Sequence, residues 1–475
     1  MLDIPGQHRP GHEHEDLRLL LALCAERARE QNHPQLLSIT LRVRHIDPLA
    51  VLQSAHNPAD WHAYFEHPAG DLAVAAIDAL DAATFSGGSR FLRARDHARQ
   101  LLAHAIHAGD IDAPFAGPHF FCGFTFEDET AGGEFSPAGV FLPRWQVARC
   151  EGAYTAVANV LIAPDSDLNA IAERILAAHQ RYRHFEYGGA EEKTGCAAKE
   201  TASPPVLRET GGGWYADGVR QALDVITRGE CQKVVLARTF QATREQPFSF
   251  ARTLEALRER FPSCHTFSFA NGGPAVFLGA TPERLACLRG GNLQTEALAG
   301  TAARGRHAGD DARLGAGLID SDKDQREHAL VARTILDRLQ SIGINAQAEN
   351  TPRLVALSNV QHLRTPIVAA VPEEIHLLDV AAALHPTPAV GGVPSAAARA
   401  AIARIEPAPR GLYAGCLGWF DAAGQGRFLV GLRSALLREN RAELFAGAGI
   451  VAGSSPEEEL RETAAKLRAM HESLR

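Results

Sequence analysis

Near the carboxyl end, Glu459, Glu462 and Lys466 fall at i, i+3 and i+7, which places all three on one face of a helix. Ser455-Pro456-Glu457-Glu458 starts that helix as a capping box with proline at the first helical position. Two carboxylates projecting together suit a hard cation such as magnesium, which takes oxygen ligands and keeps several waters. Read alone, such a face is more often solvated and carries only a Glu–Lys pair. Glu327 is the odder residue, because it lies one turn before Val331 on the apolar side of its own helix. A carboxylate there needs a partner. Either a metal shared with Glu462 or a buried salt bridge would supply one.

Lys233 opens an apolar strand, and Glu283 follows Thr281-Pro282 at a strand-to-strand junction. Both are surface charges in one reading. In the other they form a general base and a general acid, provided that burial and nearby charge keep the lysine neutral and the glutamate protonated. His12, Glu13, His14 and Glu15 offer weak metal ligands, but a disordered terminus is the expectation there.

Phe445-Ala-Gly447-Ala-Gly449-Ile-Val-Ala-Gly453 looks like a strand, a Gly-x-Gly turn and a helix start. Too little chain follows Gly449 for the helix, returning strand and acidic residue of a dinucleotide fold, so that reading is rejected. Glycines ahead of a helix would still offer N–H groups to an anion such as a carboxylate, or serve turn geometry alone. No nucleophile elbow, P-loop or H-E-x-x-H supports a hydrolase, NTPase or zincin.

These residues need a large scaffold. At 475 residues, length alone suggests two to four domains or one continuous mixed fold. The balance of 48 basic against 56 acidic side chains, −8 overall, argues against nucleic-acid or anionic-membrane partners. The amino terminus is polar, no apolar run approaches the ~18 residues that span a bilayer, and the eight cysteines are scattered. Free thiols in a reducing, cytoplasmic setting are expected.

Residues 1–186 read as a front lobe, with helices over Leu17 to Arg29 and Leu168 to Tyr182 and strands over Leu36 to Val43 and Val157 to Ile162. Residues 187–213, rich in Gly, Thr, Pro and charge, read as a linker or loop. Residues 214–475 hold the chemical signals. There a helix ends near Gly229 and feeds the strand from Lys233. Gly290-Gly291-Asn292 suits a hairpin, and a long helix runs from Asp322 to Leu339. Strands in sequence with short turns imply largely antiparallel sheet covered by helices.

Seven segments in one order cover this back half: KVVLAR (233–238), GATPER (279–284), ALAGTAARG (297–305), DKDQREH (322–328), LHPTPAVGG (384–392), EPAPRGLYAGCLGW (406–419) and GAGIVAGSSPEEELRETAAKL (447–467). Together they resemble the chorismate-utilising enzymes, and within them the isochorismate synthases. In front, GPHFFCGFTFED (117–128) and FLPRWQVAR (141–149) look like the matching region of menaquinone- and siderophore-pathway members. The resemblance implies an α/β (α+β) architecture of two packed, largely antiparallel sheets flanked by helices, with the site between them.

It also implies roles. Lys233 matches the lysine that activates water for attack at C2 of chorismate, and Glu283 the acid that protonates the departing C4 hydroxyl. Glu327 and Glu462 match Mg²⁺ ligands, with Glu459 reaching the ion through water. Tyr413 and Arg433 match residues that hold the enolpyruvyl carboxylate, and Lys466 one near the ring carboxylate. Gly447 and Gly449 would offer backbone contacts, while Thr301, His362 and Thr387 would line the pocket. Anthranilate synthases carry glutamine where Lys233 stands, and aminodeoxychorismate synthases carry a lysine where Ala299 stands. Water is therefore the expected nucleophile, without a glutamine amidotransferase partner, in a monomer or homodimer. Salicylate synthases share the acid, base and ligands and also eliminate pyruvate, but their segment near Thr387 reads differently. A non-catalytic chorismate-binding subunit is the remaining alternative.

Overall fold

The computed structural model describes residues 2–5, 13–129, 132–183, 205–357 and 360–475. Gly290 and Gly291, both at positive φ (55° and 71°), turn the chain in two residues between the strands Arg284–Arg289 and Asn292–Ala303. This is the backbone that a tight hairpin requires and that glycine adopts without a Cβ clash.

The strand Ala138–Cys150 joins the architecture. Along one edge it pairs throughout with Leu72–Phe85. From there an antiparallel arm continues through Trp61–His67, His265–Asn271, Ala275–Thr281, Ser434–Arg438 and Arg441–Val451 to Lys233–Thr243. Along its other edge the junction strand changes partner. Ala138–Phe141 borders His119–Phe124, which leads through Cys416–Asp421, Gly426–Val430, Arg284–Arg289 and Asn292–Ala303 to Val360–Ala370. Trp145–Cys150 instead borders Ala153–Ile162 and, beyond it, Gln35–Arg42. The two expected sheets are therefore arms of one hydrogen-bonded network. It is antiparallel except where Ala105–Gly109 meets Gln35–Arg42 and Leu2–Pro5.

Helices cover the arms. Asp322–Ser341 starts at Ser321, whose hydroxyl accepts the Asp324 N–H, and buries Val331, Ile335 and Leu339. The terminal helix Pro456–His471 is capped in the same way by Ser455 and has proline in its first turn.

Three expectations are corrected. The terminus is not disordered from Glu13 onward: Glu13–Gln31 is a helix, held down by Leu21, Cys24 and Ala25 packed on strands from the front of the chain, while His12 lies outside the described residues. Of the stretch 187–213, residues 187–204 also lie outside them. Val206–Glu209 is not loop but an edge strand on Lys233–Thr243. Gly447 and Gly449 do not precede a helix. They sit inside the strand Arg441–Val451, opposite Ala237 and Val235, and the turn into the terminal helix comes at Gly453 (φ 91°). Among the described residues the cysteines are free thiols, with Cys196 outside them, and no helix is long and apolar enough to cross a membrane.

Candidate active site

The chain passes from one arm to the other twice in neighbouring places. Pro282-Glu283 links Ala275–Thr281 to Arg284–Arg289, and 431–433 links Gly426–Val430 back to Ser434–Arg438. The crossovers are stitched together: Val430 N–H donates to the Glu283 carbonyl (3.1 Å), and Ala280 N–H to the Arg433 carbonyl (3.2 Å). Arg433 takes a left-handed backbone (φ 46°) to make its turn. Gly279 permits the approach, since a Cβ there would stand 2.6 Å from the Arg433 carbonyl oxygen. A crossover puts a polar side chain at the mouth between two sheets, which is why Glu283 and Arg433 both face one cavity.

Lys233 enters that cavity from the first arm. It is 1% exposed, and its Nζ donates to Glu327 Oε1 at 2.8 Å. Gly449 makes room for the pair, because a Cβ there would lie 2.9 Å from Lys233 Cε and 3.0 Å from Glu327 Oε1. Gly447 does the same for the Tyr413 hydroxyl, at 3.0 Å. These glycines are needed for space, not for N–H donation at a helix end. Gly449→Ala should therefore cost on the order of 100-fold in kcat/KM by displacing Lys233, with the melting temperature nearly unchanged. Wild-type kinetics in that variant would remove the displacement from the account.

Another side of the cavity is built around Arg433. Burial lowers its pKa, and its guanidinium meets Cys264 Sγ (3.7 Å) and His362 Nε2 (3.3 Å), neither of them a carboxylate. Because Arg433 donates to Nε2, His362 keeps its proton on Nδ1, between Thr301 Oγ1 (3.2 Å) and the Gly300 carbonyl (3.1 Å). Burial and the adjacent guanidinium press the His362 pKa down to about 3, so the ring stays neutral. Gly300 (φ 75°) makes the register shift that sets Thr301 opposite His362.

Thirteen side chains or glycines were singled out from the sequence, and all but two line this one cavity. Thr387, one of the two, donates its hydroxyl to Glu283 Oε1 at 3.2 Å. Glu459, the other, is 3% exposed and 4.0 Å from Lys323 Nζ. Burial pushes the Glu283 carboxyl up to about 7. The Thr387 bond opposes this, Glu296 reinforces it, and Lys233 and Lys466 oppose it. Burial, with Glu462 close by, pushes Glu459 to about 7 as well.

Glu327 and Glu462 enter from two different helices, and each is held by a lysine: Glu327 by Lys233, and Glu462 by Lys466 at 2.7 Å. Lys466 also donates to the Gly447 carbonyl (3.0 Å). Among the described residues no three acidic, His or Cys side chains stand together as a ready-made metal set. The donors are nevertheless all carboxylate oxygens. Burial, reinforced by Glu327 and Glu462, raises the Asp324 pKa as well, so the group carries repulsion that a hard divalent ion would relieve. The donor set fits such an ion.

Sequence reasoning missed Arg410. This buried arginine lines the cavity, pairs with Glu406, and donates to the Val235 (2.7 Å) and Val390 (2.8 Å) carbonyls. Glu406 in turn accepts the Ala237 N–H (2.8 Å). The pair thus ties the turn bearing Tyr413 to the strand bearing Lys233. Its i, i+4 spacing in EPAPR was the available signal.

The family described as chorismate binding enzyme matches residues 22–475. The salicylate biosynthesis isochorismate synthase of Pseudomonas aeruginosa is 37% identical over 451 residues, 94% of this chain and 92% of that one. Isochorismate synthase MenF of Bacillus subtilis is 29% identical over 459 residues, 94% of this chain and 95% of the relative. The solved structure of MenF, the menaquinone-specific isochorismate synthase from Escherichia coli, superposes with a TM-score of 0.74 at 28% identity, covering 95% of this chain and 99% of that one.

Proposed function

The chain belongs to the chorismate binding enzymes, and from that membership we propose that it is a magnesium-dependent isochorismate synthase. Water adds at C2 of chorismate and the C4 hydroxyl leaves. The observation that carries this reading is the pairing of Lys233 with a buried carboxyl, Glu283, across one cavity that also presents Arg433 and Lys466. Lys233, when neutral, takes a proton from the attacking water. Glu283, protonated up to about pH 7, gives its proton to the departing hydroxyl, which leaves as water. One proton is taken and one given, so the exchange balances without a redox cofactor. Arg433 and Tyr413 hold the enolpyruvyl carboxylate, and Lys466 stands near the ring carboxylate. A buried guanidinium bonded to a thiol and a neutral imidazole suits such a guest, because the substrate supplies the charge partner.

Glu327 and Glu462, with Glu459 acting through water, would hold the magnesium ion. When bound, it supplies positive charge and oxygen coordination for the ring carboxylate. Because Glu327 is offered as a ligand, Glu327→Gln should raise the magnesium concentration needed for half-maximal activity by at least about tenfold. It should also weaken magnesium binding measured by calorimetry. A variant with the wild-type magnesium dependence removes Glu327 from the metal site.

The proposal is tested by incubating purified protein with chorismate, with and without magnesium, and resolving the products by chromatography. Isochorismate forming only with magnesium supports it. Salicylate with pyruvate would move the activity to salicylate synthesis. Chorismate bound but unconverted would make the chain a binding subunit.

A further inference from the structure

Glu283 is the acid in the proposed reaction, and its backbone is pinned on every side. Its N–H reaches Thr281 Oγ1 (3.2 Å), its carbonyl accepts from Val430 (3.1 Å), and the next N–H, that of Arg284, donates to Glu296 Oε1 (3.2 Å). Glu296 is the one charged partner in this set. It projects from Asn292–Ala303 and is 7% exposed. Arg364 Nε holds its other oxygen at 2.6 Å, with Arg284 Nη2 3.8 Å away.

We propose that Glu296 is a positioning residue for the reaction. Its carboxylate anchors the Arg284 peptide behind Glu283, and its charge, moderated by Arg364, sets the pH above which Glu283 stops donating a proton. This rests on the reading of Glu283 as the acid.

The groups facing Glu283 come from five elements. Lys233 lies on the strand Lys233–Thr243 and Lys466 on the terminal helix, and both favour the ionised carboxylate. Thr387, on the segment after the helix Leu377–Leu384, does the same through its hydrogen bond. Tyr413, on the turn after Arg410, has its own pKa raised chiefly by burial and is neutral across the working range. Glu296 alone among them brings negative charge, and so favours the protonated form. Across the cavity, the Glu327 and Glu462 carboxylates are already held by the two lysines, and Arg433 sits beside neutral His362.

Charge and anchoring are separable by substitution. Glu296→Gln keeps an acceptor for the Arg284 N–H and removes the charge. The descending limb of kcat/KM against pH should then move down by about half a pH unit, about threefold in rate at any pH on that limb, while the low-pH plateau stays within about twofold. Arg364→Gln leaves the Glu296 charge moderated only by the more distant Arg284 and should move the limb the other way. Glu296→Asp, which keeps the charge, should keep the wild-type limb. A merely structural role would lower the melting temperature and the plateau together and leave the limb in place. Limbs that coincide in wild type, Glu296→Gln and Arg364→Gln overturn the inference. If Glu283→Gln itself retained turnover, the acid assignment would fail first, and that outcome is distinct.

Discussion

Lys233→Ala is expected to lower kcat by about 1,000-fold while magnesium-dependent chorismate binding persists. Removing a positioned general base typically costs 10²–10⁴-fold. The binding contacts assigned to Arg433, Tyr413 and Lys466 are not touched by the change. Alanine also leaves the Glu327 carboxylate without the ammonium that holds it at 2.8 Å, so a fold control is needed. Lys233→Gln supplies one: its amide fills similar space and can still donate to Glu327, but it cannot accept a proton from water. Both variants should melt as cooperatively as the parent and both should be inactive in the water-dependent reaction. Turnover retained in the glutamine variant would sink the assigned base.

Glu283→Gln should have an effect of similar size for the complementary reason. The carboxyl sits 5% exposed at a sheet crossover, and burial raises its pKa to about 7. Below that pH it carries the proton that the departing hydroxyl needs. Above it the proton is gone, and kcat/KM should fall tenfold per pH unit. The amide keeps a carbonyl oxygen for the Thr387 hydroxyl, whose bond to Glu283 spans 3.2 Å, so the local structure survives. It has no proton to give, however, and the residual rate should lose the descending limb near neutrality. A variant with both the parental rate and the parental limb would assign that limb to another group.

Much of this site was legible in the sequence because its parts are local. The capping box fixed where the terminal helix begins, and therefore which side chains share the face of Glu462. The apolar stripe of Val331, Ile335 and Leu339 showed that Glu327 points inward, and both of its foreseen readings involve a partner that burial demands. What stayed hidden depends on long-range pairing. Gly447 and Gly449 look like a turn until the strand Lys233–Thr243 is laid beside them. Only then does their purpose, clearance for Lys233 and Tyr413, come into view. The contact of Glu296 with the Arg284 peptide, and of Arg410 with Val235, likewise joins residues that no local pattern associates. The helix read from Leu17 to Arg29 begins a turn earlier, at Glu13, and that first turn went unseen because its residues are polar and carry no apolar period.

Water as the incoming group is the central claim, and labelling tests it most directly. Enzyme, magnesium and chorismate are mixed in water enriched in heavy oxygen, and isochorismate is isolated at early conversion for mass analysis. One heavy oxygen per molecule of isochorismate, located at C2, is the predicted result. Isochorismate formed without label would mean that the hydroxyl migrates within the substrate, and would contradict the assignment of Lys233 as the base that activates water.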